Sequence, residues 1–293
     1  MRRWVAAAIA AVLCAAALAG CSSGLPQGVD GDLTNHWAPP PTAVQWKPQA
    51  SGCFEKMADQ LSMSEYRPIP CAEEHLAEAF ALGEYTGPRS DDTDTAWPAA
   101  YLDCERRADA FVGGAWHAGR LTVEPAFPTG SAWAAGVRWY SCEIGETYAD
   151  GSDLAAHKGS LKGAMVGEAS DIALQCFNPT VKGESVSAMD PVSCSRPHHA
   201  EFAGLWTAPK MSLTALDSSP QLAKGCLSAI ARYTKVPNDS MIKYRTGWLG
   251  FPRQDDYWNA GDRTVQCYMW ISSETMTGSY KGAGTGKLKI HYA

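Results

Sequence analysis

Two segments of the chain carry apolar residues at the spacing of an amphipathic helix. Apolar residues recur at i, i+4 and i+7, as Cys104, Ala108 and Phe111 in one segment and Cys226, Ile230 and Tyr233 in the other. The segments follow Trp97-Pro98 and Ser219-Pro220, and proline is favoured in the first turn of a helix. The pattern predicts two helices that each present a cysteine on their buried face.

Other segments alternate between apolar and polar positions, as half-buried strands do. One side is shared by Arg138, Tyr140, Cys142 and Ile144, and in a later segment by Val265, Cys267, Met269 and Ile271. Residues 75–85 and 198–207 have the composition of further strands. We therefore expect an α+β fold of two small units, each a mostly antiparallel sheet with one main helix.

The longest apolar run lies at the N-terminus, from Trp4 to Ala17. It is shorter than the ~20 residues that a membrane-spanning helix needs, and it follows Arg2 and Arg3. It ends in Leu18-Ala19-Gly20-Cys21, which matches the lipobox of bacterial lipoproteins. The pattern predicts a signal peptide over residues 1–20 and acylation of Cys21, which would anchor the protein to the membrane. An ordinary signal peptide with an incidental Cys21 is the alternative.

Residues 21–45 are rich in Ser, Gly and Pro and show no period of 2 or 3.6, which indicates a flexible linker. The chain has 293 residues and a formal net charge of −6, without a cluster of Lys and Arg. Such a charge argues against a nucleic acid partner. The length beyond the linker suits two domains of ~120 residues.

The remaining eight cysteines form two sets of four with similar spacing. The gaps are 18, 33 and 38 residues in the first set and 18, 32 and 41 in the second. An even number of cysteines in an exported protein indicates disulfides. Three pairings are possible within each set. We expect the first cysteine to pair with the second and the third with the fourth, as Cys53–Cys71, Cys104–Cys142, Cys176–Cys194 and Cys226–Cys267.

Short motifs repeat around these cysteines. Each half contains Cys-Phe, then Cys-x-x-x-His-x-x-Glu, later Phe-Pro, Trp-x-x-Gly-x-Arg-x-x-x-Cys, and finally Gly-Ser-x-Lys-Gly. The last motif begins at Gly159 in one half and at Gly278 in the other. Order and spacing recur together, so we expect a tandem duplication with domains at residues 46–165 and 168–290.

This order of motifs resembles the septum formation family, an extracytoplasmic domain of actinobacterial envelope proteins. The resemblance covers nearly all of the chain beyond the linker, once in each half. The first half departs from the family by having Glu74 before the histidine, where the second half has Pro197. The resemblance implies a role in cell division or cell-wall assembly and brings no established reaction with it.

The repeated polar residues are the candidate site residues: His75, Glu78 and Arg138 in the first half and His198, Glu201 and Arg263 in the second. A His–Glu pair is able to act as a general base or to supply metal ligands. Zinc, however, needs three or four protein ligands, and no catalytic motif accompanies the pairs. At i and i+3 of a strand the two side chains point to opposite faces, which argues against direct pairing. We therefore predict no catalytic residue, no metal and no cofactor, and expect structural or partner-binding roles. Stacking of each arginine on the tryptophan of its motif is expected.

Three functions remain open. The chain is expected to be a non-catalytic lipoprotein on the extracytoplasmic face of the cell membrane, binding or scaffolding an envelope or division protein. The first alternative is a module that binds cell-wall carbohydrate or lipid precursors. An exposed groove lined by tryptophan and polar side chains would support this alternative. The second alternative, an envelope hydrolase, requires a deep pocket that contains a histidine with a polar partner.

Overall fold

The computed structural model describes residues 45–148, 151, 153–167, 170–183 and 185–290. The predicted signal peptide, Cys21 and the predicted linker up to residue 44 lie outside the described residues. From Gln45 onward the chain belongs to one compact unit. Among the described residues, no helix has both the length and the hydrophobicity needed to cross a bilayer.

The first half forms a five-stranded sheet. Its strands are β1 (Gly52–Phe54), β2 (Gln60–Leu61), β3 (Ala77–Glu84), β4 (Leu121–Pro128) and β5 (Trp139–Glu146), in the order β1-β3-β5-β4-β2. All neighbours are antiparallel except β2 and β4. Helix α1 (Trp97–Val112) connects β3 to β4, and the short α2 (Gly130–Ala134) connects β4 to β5. A single 3-10 turn, Trp116–Ala118, follows α1.

The second half forms another five-stranded sheet, and all its neighbouring strands are antiparallel. Its strands are β6 (Cys176–Lys182), β7 (Ser185–Val192), β8 (Ala200–Thr207), β9 (Gly247–Pro252) and β10 (Thr264–Trp270), in the order β7-β6-β8-β10-β9. Its helices are α3 (Leu213–Asp217), α4 (Gln221–Thr234), α5 (Asp255–Ala260) and α6 (Gly284–Lys287), with a 3-10 turn at Ile242–Tyr244. The α+β prediction is confirmed.

The two sheets share the same strand register. Cys53 lies opposite Glu78 where β1 pairs with β3, and Cys176 lies opposite Glu201 where β6 pairs with β8. The central pairs also correspond, with Cys142 opposite Ala81 and Cys267 opposite Gly204, and each contains an irregularity at the same place. The sheets differ at their edges, where β2 extends the first and β7 the second.

The main helix of each half packs on its sheet as the periodicity predicts. Cys104, Ala108 and Val112 of α1 are fully buried against the sheet, and Gly113 ends the helix in a left-handed conformation, with φ of 76°. Helix α4 buries Cys226 and Ile230 in the same way. Because the buried face holds a cysteine, a disulfide also links each helix to its sheet.

The described residues contain four disulfides, and they are the pairs named from the sequence. Cys104–Cys142 and Cys226–Cys267 join α1 to β5 and α4 to β10. Cys53–Cys71 and Cys176–Cys194 join a strand to a turn. Cys71 and Cys194 lie in turns that precede β3 and β8, so neither of these two bridges joins two strands.

Candidate functional site

The repeated glutamates hold the Gly-Ser-x-Lys-Gly turns. Glu201 is fully buried and accepts the backbone N–H of Tyr280 at 2.9 Å and the hydroxyls of Tyr233 at 2.8 Å and Ser279 at 3.2 Å. Glu78 accepts the hydroxyl of Ser160 at 2.6 Å and the N–H of Leu161 at 2.7 Å. Each carboxylate thus accepts hydrogen bonds that the groups of a turn, about 80 positions further along the chain, would otherwise make to water. It therefore holds that turn against the sheet of its half.

The repeated histidines differ between the halves. His198 lies 2.9 Å from Glu201 through Nε2 and 2.8 Å from the carbonyl of Arg196 through Nδ1. A carbonyl and a carboxylate are both acceptors, so each ring nitrogen of His198 lies at hydrogen-bond distance from an acceptor. His75 bonds the carbonyl of Glu73 through Nδ1 at 2.9 Å, but its buried Nε2 has no hydrogen-bond partner among the described residues.

The argument that residues at i and i+3 point apart is wrong for His198 and Glu201. His198 precedes β8, which begins at Ala200, and the chain bends at His199. Only Glu201 therefore follows the alternation of the strand. The bend lets the imidazole of His198 turn back to the carboxylate.

Burial separates these side chains from any surface partner. The exposed fraction is 2% for His75, 6% for Glu78 and 0% for His198 and Glu201. The third metal-ligand type within reach of each pair is the sulfur of Cys53 or Cys176, which is bonded in a disulfide. Of the two roles left open by the sequence, this geometry favours the structural one.

The Trp-x-x-Gly-x-Arg motifs form matching clamps. The guanidinium of Arg138 lies 4.3 Å from the ring centre of Trp133, and that of Arg263 lies 4.6 Å from Trp258. Both arginines also donate to the carbonyl of the same tryptophan. The glycine between them has a positive φ, 97° at Gly136 and 125° at Gly261, which brings the arginine back over the ring. The expected stacking is present, and the motif closes a helix end rather than offering a free surface.

A second polar cluster, between the two halves, was missed in the sequence analysis. The carboxylate oxygen Oδ2 of Asp262 accepts the hydroxyl of Tyr101 at 2.7 Å and lies 2.9 Å from Nε2 of His117. The guanidinium Nε of Arg253 lies 3.4 Å from the same oxygen, and the N–H of Thr264 donates to Oδ1 at 2.9 Å. Burial alone would raise the pKa of Asp262, but the hydrogen bonds from His117 and Tyr101 outweigh it and hold the pKa below its usual range.

Further hydrogen bonds cross the same junction. Tyr257 donates to Glu124 at 2.5 Å, and the amide of Gln266 donates to the carbonyl of His117 at 2.8 Å. Burial raises the pKa of Glu124, which the hydroxyl of Tyr257 partly offsets. The halves are therefore joined by buried polar contacts as well as by packing of α1 against α5.

A groove of about 1220 Å³ opens beside this junction. Its walls carry five carboxylates, one guanidinium and two aromatic rings: Asp59, Asp94, Glu124, Asp255, Asp256, Arg253, Trp97 and Tyr257. Arg253 stacks on Tyr257 at 4.3 Å and is neutralised by Asp262, so the groove is acidic overall. Asp255 and Asp256 lie in the first turn of α5, and both line this groove.

One sequence signal points to the junction residues, namely polar residues that only one half has. By the alignment of the shared motifs, Asp262 corresponds to Val137, Tyr101 to Ala223 and Glu124 to Trp248. The fold accepts apolar residues at these positions, so each polar residue serves something that the corresponding position of the other half does not. Motifs shared by the two halves do not include such positions, because the residues differ there.

The fold and the site define a disulfide-stapled α+β protein of two halves, each with a five-stranded sheet, and an acidic groove between them. The septum formation family matches residues 50–267, and the chain belongs to this family. The match is one continuous range across both halves, where the sequence analysis expected one domain copy in each. Comparison with curated proteins and with solved structures yields no match.

Proposed function

We propose that the chain is a non-catalytic binding or scaffolding protein in septum formation or cell-wall assembly, and that the groove between its halves is the binding site. Membership of the septum formation family supports a division or envelope role. The groove carries the proposal, because five carboxylates and two aromatic rings face solvent together there. Arrays of this kind provide specific polar contacts to a ligand.

The proposed absence of catalysis draws support from the position of the histidines. An enzyme of this design would need a histidine in a pocket with a polar partner. His117 has such a partner in Asp262, but it is only 6% exposed and is not part of the groove wall. Among the described residues, the other buried histidines, His75 and His198, are held in the repeats by their own contacts.

We further propose that the family domain in this chain consists of two copies of one unit, at residues 46–165 and 168–290. The shared strand register and the four disulfides within the halves support this division. Anchoring through acylated Cys21 to the extracytoplasmic face of the membrane is part of the same proposal. Disulfides persist in oxidising compartments, which supports export.

The proposed function is tested by complementation in the source bacterium after deletion of the chromosomal gene. Asp256→Lys combined with Asp94→Lys reverses charge in the groove, whereas Asp190→Lys reverses an exposed charge on β7 as a matched control. We expect the groove variant to fail in septum formation and the control to restore it. Equal restoration by both variants, at equal protein levels, would contradict the proposal.

Binding of cell-wall carbohydrate is the second candidate function. The specific observation in its favour is Trp97, which is half-buried in the groove wall, stacks on Tyr101 at 5.1 Å and lies beside the carboxylates. Aromatic faces and carboxylates together suit a sugar ring. Cosedimentation with purified peptidoglycan sacculi tests it. Binding that Trp97→Ala removes and Asp190→Lys leaves intact would support a glycan ligand.

A further inference from the structure

The buried cluster between the halves contains a set of potential metal ligands. Glu105 comes from α1, His117 from the 3-10 turn after α1, and Asp262 from the three-residue connection between α5 and β10. One ligand atom from each lies within 4.8 Å of the other two, and Nε2 of His117 lies 2.9 Å from Oδ2 of Asp262. We propose that these three side chains bind a divalent transition metal ion of the zinc class.

The distances suit such an ion after small side-chain shifts. Zinc binds nitrogen and oxygen ligands at about 2.0–2.2 Å, so neighbouring ligand atoms of a tetrahedron lie roughly 3.3 Å apart. This separation falls inside the 2.9–4.8 Å range of the cluster. One imidazole and two carboxylates leave a fourth position for water. The imidazole favours zinc and its neighbours over magnesium and calcium, which take oxygen ligands.

Of the three proposed ligands, Glu105 is the one whose carboxylate is available to an ion. Its carboxylate is half-buried and has no hydrogen-bond partner among the described residues. The exposed part of Glu105 also gives an ion a route to the cluster.

The surrounding residues orient the two other ligands. Tyr101 and Thr264 donate to Asp262, and Gln266 holds the backbone carbonyl of His117. Supporting hydrogen bonds of this kind fix the geometry of metal ligands. Arg253 brings a positive charge 3.4 Å from Asp262, and Glu105 adds a second carboxylate to the cluster.

The ligand positions are also not required by the fold. Glu105 corresponds to Leu227 in the second half, and Asp262 corresponds to Val137 in the first. Both apolar counterparts pack into the core of their half. An ion held by α1, the 3-10 turn and Asp262 would join the two halves, so metal binding and the angle between the halves would be coupled.

Binding exchanges a proton for the ion. In the metal-free cluster the proton on Nε2 of His117 faces Asp262. The ion takes this place at Nε2: the Nε2 proton passes to solvent, Nδ1 takes up a proton from solvent, and the neutral imidazole binds the ion through the lone pair of Nε2.

The test is titration of the full chain with Co²⁺, followed by visible absorption and by the melting temperature. Cys14→Ser and Cys21→Ser are included so that the two cysteines outside the disulfides do not compete. Glu105→Gln and His117→Gln each remove one ligand. His157→Gln is the matched control, because His157 forms a half-buried pair with Glu146 at 2.8 Å outside the cluster.

We expect one Co²⁺ per chain with the intense absorption of a four-coordinate site. Glu105→Gln and His117→Gln should each weaken binding at least about tenfold, since even supporting residues of metal sites contribute that much. His157→Gln should bind as the parent chain does. If His117→Gln does not fold, Glu105→Gln decides alone. No uptake, unchanged binding by Glu105→Gln, or loss only with His157→Gln would overturn the metal site and would leave the groove proposal untouched.

Discussion

The hydroxyl of Tyr101 donates to the carboxylate of Asp262 at 2.7 Å, across the junction of the two halves. Both side chains are fully buried, so this bond replaces hydration that each group has in the unfolded chain. Removal of the hydroxyl in Tyr101→Phe leaves one acceptor of Asp262 less satisfied without opening a cavity. We expect a loss of about 1–3 kcal/mol in the free energy of unfolding, measured by chemical denaturation.

Tyr140→Phe is the control within one half, because Tyr140 donates to the more exposed Asp103 at 2.8 Å. It should cost less than Tyr101→Phe. A Tyr101→Phe variant as stable as the parent chain would show that the junction does not depend on this bond.

Glu143 makes stability depend on pH near neutrality. It lies on β5 opposite Glu124, is 1% exposed and accepts only the N–H of Ala58, and burial raises its pKa to about 8. In the unfolded chain its pKa is near 4.5. Between these values the folded state keeps a proton that the unfolded state has released, so stability falls as the pH rises from 4.5 to 8.

Glu143→Gln keeps the shape and removes this titration. We expect it to raise the free energy of unfolding at pH 8.5 by a few kcal/mol, on the order of 1.4 kcal/mol per unit of pKa, and to change it little at pH 4.5. Denaturant melts at both values check this. A uniform effect of the substitution across pH would contradict the assignment to Glu143.

The two repeated histidines give a matched pair of substitutions. His198→Ala removes the partner of the buried Glu201, whereas His75→Ala removes an imidazole whose Nε2 is unpaired. Breaking a buried pair costs about 3–5 kcal/mol, so His198→Ala should be clearly the more destabilising change. Equal losses of stability, or a larger loss for His75→Ala, would contradict the different roles inferred for the two copies.

Processing of the precursor tests the proposed lipid anchor. Cys21→Ala should leave the signal peptide uncleaved by the lipoprotein peptidase and should abolish acylation at this position, as measured by mass spectrometry of the purified protein. Normal processing and membrane retention of this variant would refute the anchor. The groove proposal would then concern an exported protein held by other means.

Local patterns predicted most of the fold. The i, i+4, i+7 spacing around Cys104 and Cys226 identified both main helices, and the alternation around Cys142 and Cys267 identified the central strands. Such patterns reflect which face of an element is buried, and burial in each half is set by nearby sequence.

The junction could not be predicted in this way. Tyr101 and His117 are 161 and 145 positions from Asp262, and no periodicity relates positions that meet only when two halves pack together. The contact between His198 and Glu201 was not predicted for a different reason. The chain bends at His199, just before β8, and this bend changes the side on which the His198 side chain lies. The alternation argument assumes that the strand already includes His198.

Site-specific photo-crosslinking in cells tests most directly whether the groove binds an envelope component. A photoreactive residue is placed at Asn259, which is exposed in the groove, and at Ser187, which is exposed on β7 away from it. The account predicts a discrete adduct, protein or glycan, from Asn259 only, and loss of this adduct when Asp256→Lys is added. No adduct from Asn259, or the same adducts from both positions irrespective of Asp256→Lys, would contradict it.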